Sequence, residues 1–251
     1  MIEAHLFRKS LKDFLSPSFL SLSIIPFLIT FALFGFLYLG YGSDLLHTVT
    51  ESIDRGVFPF IDPESHPWLT WLLTFSVFKW LFAIFYYLVG AVLVIMLSVV
   101  IAVIVIGFFT PAIVKLVHKK HYPDFVIKNG NFSFISSIGM YLKIFGTFIL
   151  LLLVALPFMF VPAVNFIAIN LPFYYLFHAF LLLDVGSEID SKEEFKTVIK
   201  TYKGSFRTTT LTLYGISLIP LAAIFLQVWF VTLLAHLFFT KTIQARREGL
   251  V

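Results

Sequence analysis

Arg207 is followed by Thr208, Thr209 and Thr210, and this run opens a long apolar segment. A guanidinium beside hydroxyls at a helix start suits an oxyanion, because helix N-termini expose N–H groups and a partial positive charge. The ordinary reading of the same residues is N-capping, with Arg207 anchored to lipid phosphate. Ser16 and Ser18 open the first apolar run, with Lys12 close by, and offer a similar set without an arginine. Lys79 interrupts the apolar segment of residues 68–110. An ammonium at membrane depth either attracts anions or snorkels to the interface, here beside Trp80. Asn165 and Asn170 are the only polar side chains in residues 154–172, a stretch without charge. Their amides either cap a turn and pack helices or coordinate a solute that is shedding water.

Other polar residues promise less. His118 and His121 stand three apart beside Lys119 and Lys120. A metal there would need ligands from elsewhere, and the group reads as an interfacial basic cluster. His178 reads as a packing histidine. There is no Gly-rich phosphate loop, no His-Glu-x-x-His and no Ser/His/Asp set, so no catalytic, cofactor-binding or metal-binding set is predicted. The expectation is a protein that is not an enzyme. The chain has no cysteine, which excludes disulfides, thiolate metal sites and cysteine nucleophiles.

The elements that position these residues are those of a membrane protein. The 251 residues are 59% hydrophobic and only 13% charged, against roughly 25% charged in soluble domains. Long apolar runs match a bilayer core about 30 Å thick, and the period-2 alternation of a transmembrane β-barrel is missing. The predicted fold class is all-α and polytopic. Residues 1–15 form an amphipathic helix with Phe7, Leu11, Phe14 and Leu15 on one face, or else a solvated tail. Residues 16–41 are the first spanning helix, retained rather than cleaved as a signal peptide. Residues 42–67 carry Asp44, Glu51, Asp54, Asp62 and Glu64 against one Arg55, and read as an external loop. Residues 68–110 form one long second spanning helix that turns at Pro111. Residues 111–143 are basic and cytoplasmic, 144–183 a first hairpin, 184–207 a cytoplasmic surface helix, 208–240 a second hairpin and 241–251 a tail. All of the 18 Lys and Arg residues except Arg55 and Lys79 fall in segments assigned to the cytoplasm. Both ends of the chain are therefore expected inside.

Two topologies share these segments. Either six helices cross, or only the first two do and the later pairs turn back within the bilayer. Residues 208–240 number 33 and residues 144–183 number 40, whereas two crossings need about 40 before any loop. Neither turn carries a charge, and Pro157, Pro162 and Pro220 each remove an N–H that lipid would leave unpaired. Two half-membrane hairpins are the favoured reading. Tips at that depth need something to bury against, hence an oligomer or a pore.

Several stretches carry a family resemblance. They are Leu15-Ser-Pro-Ser-Phe-Leu-Ser-Leu-Ser-Ile-Ile-Pro26, Trp68-Leu-Thr-Trp71, Phe108-Phe-Thr-Pro-Ala-Ile-Val-Lys-Leu-Val117, Phe195, Tyr214-Gly215 and Ile219-Pro-Leu221. In this order and spacing the chain resembles the CysZ sulfate permeases and their relatives, the etoposide-induced protein 2.4 superfamily. The resemblance implies a bacterial inner-membrane protein with two long spanning helices and two half-membrane hairpins, assembled as a homo-oligomer and admitting sulfate. Here Pro17-Ser18-Phe19-Leu20 stands where the family has Pro-Gly-Leu/Ile-Arg, and Asp184-Val185-Gly186 where it has Asp-Tyr-Pro, so the chain reads as a divergent member. The expected function is a channel or permease for a small inorganic anion. The alternative is a non-transporting assembly or lipid-organising protein. Expected partners are membrane lipid, the anion and further copies of the chain. No nucleic acid is expected, since the net charge of +4 reflects loop asymmetry.

Overall fold

The computed structural model describes residues 4–54, 67–68, 71, 75–128, 134–162, 164–219 and 222–251, some helical side chains excepted. Among these residues there is helix and no strand, and the molecule is an all-α, polytopic membrane protein. Among the described residues, four stretches are long and apolar enough to cross a membrane: Pro17–Thr48, Ile138–Phe160, Asn165–Gly186 and Phe225–Arg247. The chain divides into two compact units, Ile25–Ile104 and Met1–Ile24 with Val105–Val251.

In the first of these units, α2 (Pro17–Asp54) and α3 (Ser76–Phe108) run antiparallel. Polar atoms tie them at intervals. Thr30 Oγ1 donates to Ser98 O at 3.1 Å, Tyr38 Oη to Tyr86 O at 3.1 Å and Tyr86 Oη to Gly42 O at 2.9 Å. Each removes a hydroxyl from lipid by giving it a backbone carbonyl. The Tyr38 ring lies so close to Gly90 that a Cβ there would overlap it. α2 continues through Asp54 rather than ending at residue 41, so the predicted external loop begins as helix. Residues 55–66 of that loop lie outside the described residues.

The larger unit is built around α9 (Ala222–Arg247). From Val228 to Phe239 every residue of α9 is buried. A helix that is apolar all round has to be a core helix. α1 (Ala4–Phe14), α4 (Thr110–His121), α6 (Asn165–Gly186), α7 (Lys192–Thr201) and α8 (Lys203–Ser217) all pack on it. Phe206 meets Phe238 at 4.6 Å between ring centroids, and Phe7 stands edge-on to Trp229 at 5.0 Å. α1 is therefore a docked helix rather than a solvated tail. The face it buries is Leu6, Ser10, Asp13 and Phe14, while Leu11 and Leu15, expected on that face, are exposed. Ser10 is buried because its Oγ accepts a hydrogen bond from Trp229 Nε1 at 3.0 Å.

α5 (Phe134–Ala155) and α6 form the first hairpin. Each arm has 22 residues, about 33 Å at the α-helical rise. The hairpin starts ten residues earlier than its predicted start at 144 and ends at Gly186, so length no longer argues against a crossing. Its tip is a 3-10 turn, Leu156–Phe160, that leaves Phe158 and Phe160 exposed. The tip satisfies its own backbone: Val161 N donates to Phe158 O, and the Val164 and Asn165 amides to Val161 O. In the second hairpin, α8 has 15 residues, about 22 Å, too short to cross a core of about 30 Å. Pro220, at its turn, lies outside the described residues.

α7 starts with a capping box. Ser191 Oγ accepts from the Glu194 amide and Glu194 Oε2 accepts from the Ser191 amide. Glu194 also takes Lys128 Nζ at 3.0 Å and a forked pair from Arg246 at 3.0 and 3.1 Å. Burial alone would push its carboxyl up. The Arg246 and Lys128 hydrogen bonds outweigh this and hold it below the usual range.

Candidate functional site

The polar residues of α6 fall on one face because Asn170, Tyr174 and His178 are spaced four apart. That face meets α8. Tyr214 Oη donates to Asn170 Oδ1 at 2.9 Å. Tyr174 Oη donates to Arg207 O at 3.2 Å and lies 3.3 Å from Thr210 Oγ1. His178 Nδ1 lies 2.6 Å from Thr210 Oγ1. The two antiparallel helices thus hold a ladder of hydroxyl, amide and imidazole groups from Asn170 to His178. An open cavity of about 380 Å³ lies beside it, lined by Phe166, Asn170, Tyr174, Leu211, Tyr214 and Leu218 among others. Arg207 is exposed near the Thr210 end of the ladder. Such a ladder can pass a solute from one hydroxyl to the next, because Tyr and Thr hydroxyls rotate between donor and acceptor roles.

The predicted residues are placed as follows. Asn170 and Arg207 belong to the ladder, Arg207 through its backbone carbonyl. Asn165 is the first residue of α6, half-buried, its amide donating to Val161 O. Thr208 is exposed and its hydroxyl donates to Gly204 O and Ser205 O, while Thr209 is buried. The predicted helix start at Thr208 is overturned. α8 begins at Lys203, so Thr208, Thr209 and Thr210 sit past the first turn and have no free N–H groups to offer an anion. The break between the two helices falls at Tyr202, whose amide still bonds Val198 O. Ser16 joins α1 to α2: its Oγ donates to Asp13 O at 2.6 Å and its carbonyl accepts the Phe19 and Leu20 amides. Ser18 is exposed, its carbonyl accepting from Ser21 Oγ. Lys79 belongs to α3, and its side chain lies outside the described residues.

Tyr174 and Tyr214 were missing from the predicted site, and His178, read as a packing histidine, belongs to the ladder. The sequence signal for Tyr174 and His178 is their i, i+4, i+8 spacing with Asn170, which marks a polar stripe on an otherwise apolar helix; Tyr214 has no such signal. The His118/His121 pair also separates. His118 Nε2 bonds Phe125 O at 2.8 Å and its ring stacks on Phe239, whereas His121 reaches Asp13.

Residues 6–227 match the family model described as sulfate transporter CysZ/etoposide-induced protein 2.4. Neither a curated protein nor a solved structure matches the chain.

Proposed function

Because the chain belongs to the sulfate transporter CysZ/etoposide-induced protein 2.4 family, we propose that it forms a membrane pathway for a small inorganic oxyanion of the sulfate type. The observation that carries this is the α6–α8 ladder. A tetrahedral oxyanion leaving water needs several N–H or O–H donors at successive depths. Asn170, Tyr174, His178 and Tyr214 line one interface and would supply them by turning from their present acceptors, Phe166 O for the Asn170 amide, Arg207 O for Tyr174 and Asn170 Oδ1 for Tyr214. Arg207 sits near one end, where a guanidinium raises the local anion concentration. Ser18 and Leu20 stand where the family has its glycine and arginine, so Arg207 takes over the cationic part.

As the family resemblance implies, the chain resides in a bacterial inner membrane, and the clustering of its lysines and arginines in the segments joining the hairpins supports both ends of this sequence facing the cytoplasm. It works as a homo-oligomer and performs no chemistry on its solute. The exposed, charge-free tip at Phe158 and Phe160 supports a first hairpin that turns inside the bilayer, and the short α8 supports the same for the second.

The test is anion uptake into proteoliposomes. Wild type should carry sulfate, sulfite or phosphate well above empty liposomes. Arg207→Ala should lose about tenfold or more, the scale of one hydrogen bond to a charged group. Lys79→Ala tests the second cation in the same assay. Flux no higher than in empty liposomes for all three anions would remove the transport reading in favour of an assembly or lipid-organising role.

A further inference from the structure

Three helices far apart in sequence each bring one side chain to a single point. Asp13 Oδ2, from α1, lies 2.7 Å from His121 Nε2 of α4 and 2.9 Å from His236 Nε2 of α9. The three atoms all lie within 4.8 Å of one another. The Asp13 and His236 side chains are 3% and 0% exposed, and that of His121 is 20% exposed. We propose that Asp13, His121 and His236 form a binding site for a first-row divalent metal ion, Zn²⁺ foremost, which fastens α1 to the core helix. This inference is independent of the transport reading.

The donor set is two imidazoles and one carboxylate, the borderline N/O mixture that zinc and its neighbours take. Asp13 and His236 each have an outer partner that orients them. Asp13 Oδ1 accepts from Lys120 Nζ at 2.7 Å, which leaves Oδ2 turned to the centre. His236 Nδ1 lies 3.0 Å from Tyr122 Oη, which reaches Thr240 Oγ1 at 3.5 Å. With Nδ1 protonated and donating to Tyr122, His236 presents the Nε2 lone pair to an ion. In the other tautomer Tyr122 donates to Nδ1, and an Nε2 proton points at Asp13 instead. The relay thus serves a metal and a proton equally well, by shifting hydrogens along it.

Geometry requires a small adjustment. Metal–ligand bonds of about 2.0–2.1 Å set tetrahedral ligands roughly 3.3 Å apart, so Asp13 retreats from the two imidazoles by about half an ångström. The partly exposed His121 provides the way in. An open cavity of about 550 Å³, lined by His121, Tyr122, Pro123, Asp124, Arg246 and Arg247 among others, runs up to it. Two ammonium groups oppose the ion: Lys120 on Asp13, and Lys9, which lies 4.7 Å from the Tyr122 ring centroid. Binding is therefore expected in the micromolar range, weaker than in a closed four-ligand zinc site.

The test uses the full chain in detergent, stripped by a chelator and dialysed against Zn²⁺ or Co²⁺. Wild type should retain one ion per chain by mass spectrometry, show the visible absorption of tetrahedral Co²⁺, and melt at a higher temperature with Zn²⁺ than without. His121→Ala, at a partly exposed position where the fold tolerates truncation, should lower bound metal at least tenfold and abolish the melting shift. His47→Ala, an exposed histidine of the other unit, should change neither. Wild type binding no more metal than His121→Ala, or His121→Ala keeping the full complement, would overturn the site and leave three groups sharing a proton.

Discussion

At the scale of single residues, two buried carboxylates of the larger unit behave oppositely. Burial pushes the Asp13 carboxyl up, but hydrogen bonds from Lys120, His121 and His236 outweigh it and hold the group at about 2. Its contribution is present above the unfolded value near 4 and is lost as pH falls toward 2. Asp190 is also fully buried, with one hydrogen bond from Thr242 Oγ1 at 3.1 Å and no partner for Oδ1 among the described residues. Burial dominates there and pushes its carboxyl up to about 7. Here the native state binds the proton more tightly than the unfolded chain, so ionised Asp190 erodes stability as pH rises from about 4 to about 7. Asp190→Asn should remove that slope. The melting temperature of the variant relative to wild type should climb across this window and level off above it. A difference independent of pH would contradict the assignment. Neither role was legible in the sequence. Asp13 meets His236 across 223 positions, and no local spacing announces such a pair.

At the scale of elements, helix starts decide what the polar residues can do. The end of the charged segment at Arg207 suggested a boundary at Thr208, and Gly204 inside a helix costs about 1 kcal/mol. Packing overrides that cost. Phe206, Thr209, Thr210 and Leu213 form one buried face of α8, so the helix extends back to Lys203 to place Phe206 against Phe238. Asn170 and Arg207 were legible by residue type on apolar segments. Tyr174 and Tyr214 were not, and Thr210 was singled out for a helix start it does not occupy, because their pairing depends on which face of α6 meets α8. A second element-level consequence concerns Gly186, the last residue of α6. A Cβ there would run into the rings of Phe195 and Phe238. Both rings are buried and cannot swing aside. Gly186→Ala should therefore destabilise the larger unit by about 1–3 kcal/mol, read as a lower melting temperature in detergent. An unchanged melting temperature would mean the rings have room to move.

At the scale of the whole molecule, composition alone established an all-α membrane protein, and the charge-free stretch from 154 to 172 holds the turn of the first hairpin. What the sequence misjudged was arm length. Residues 134–143, with Lys143 among them, read as part of a basic loop but belong to α5. The depth of the first hairpin thus rests on its tip. The chain has no cysteine, so a single one placed at Phe160 reports alone. In intact vesicles it should resist an impermeant external thiol reagent and react with a membrane-permeant one; ready external labelling would mean a full crossing. The account as a whole stands on the α6–α8 ladder as the route of the anion. The most direct measurement is the initial rate of labelled sulfate entry for wild type, Tyr214→Phe and Asn170→Leu at matched protein per liposome. Removing the donor at Tyr214 or the amide at Asn170 should slow entry severalfold at equal protein incorporation, with only the small drop in melting temperature expected from one lost interhelical hydrogen bond. Wild-type rates in both variants would show that the anion takes another path.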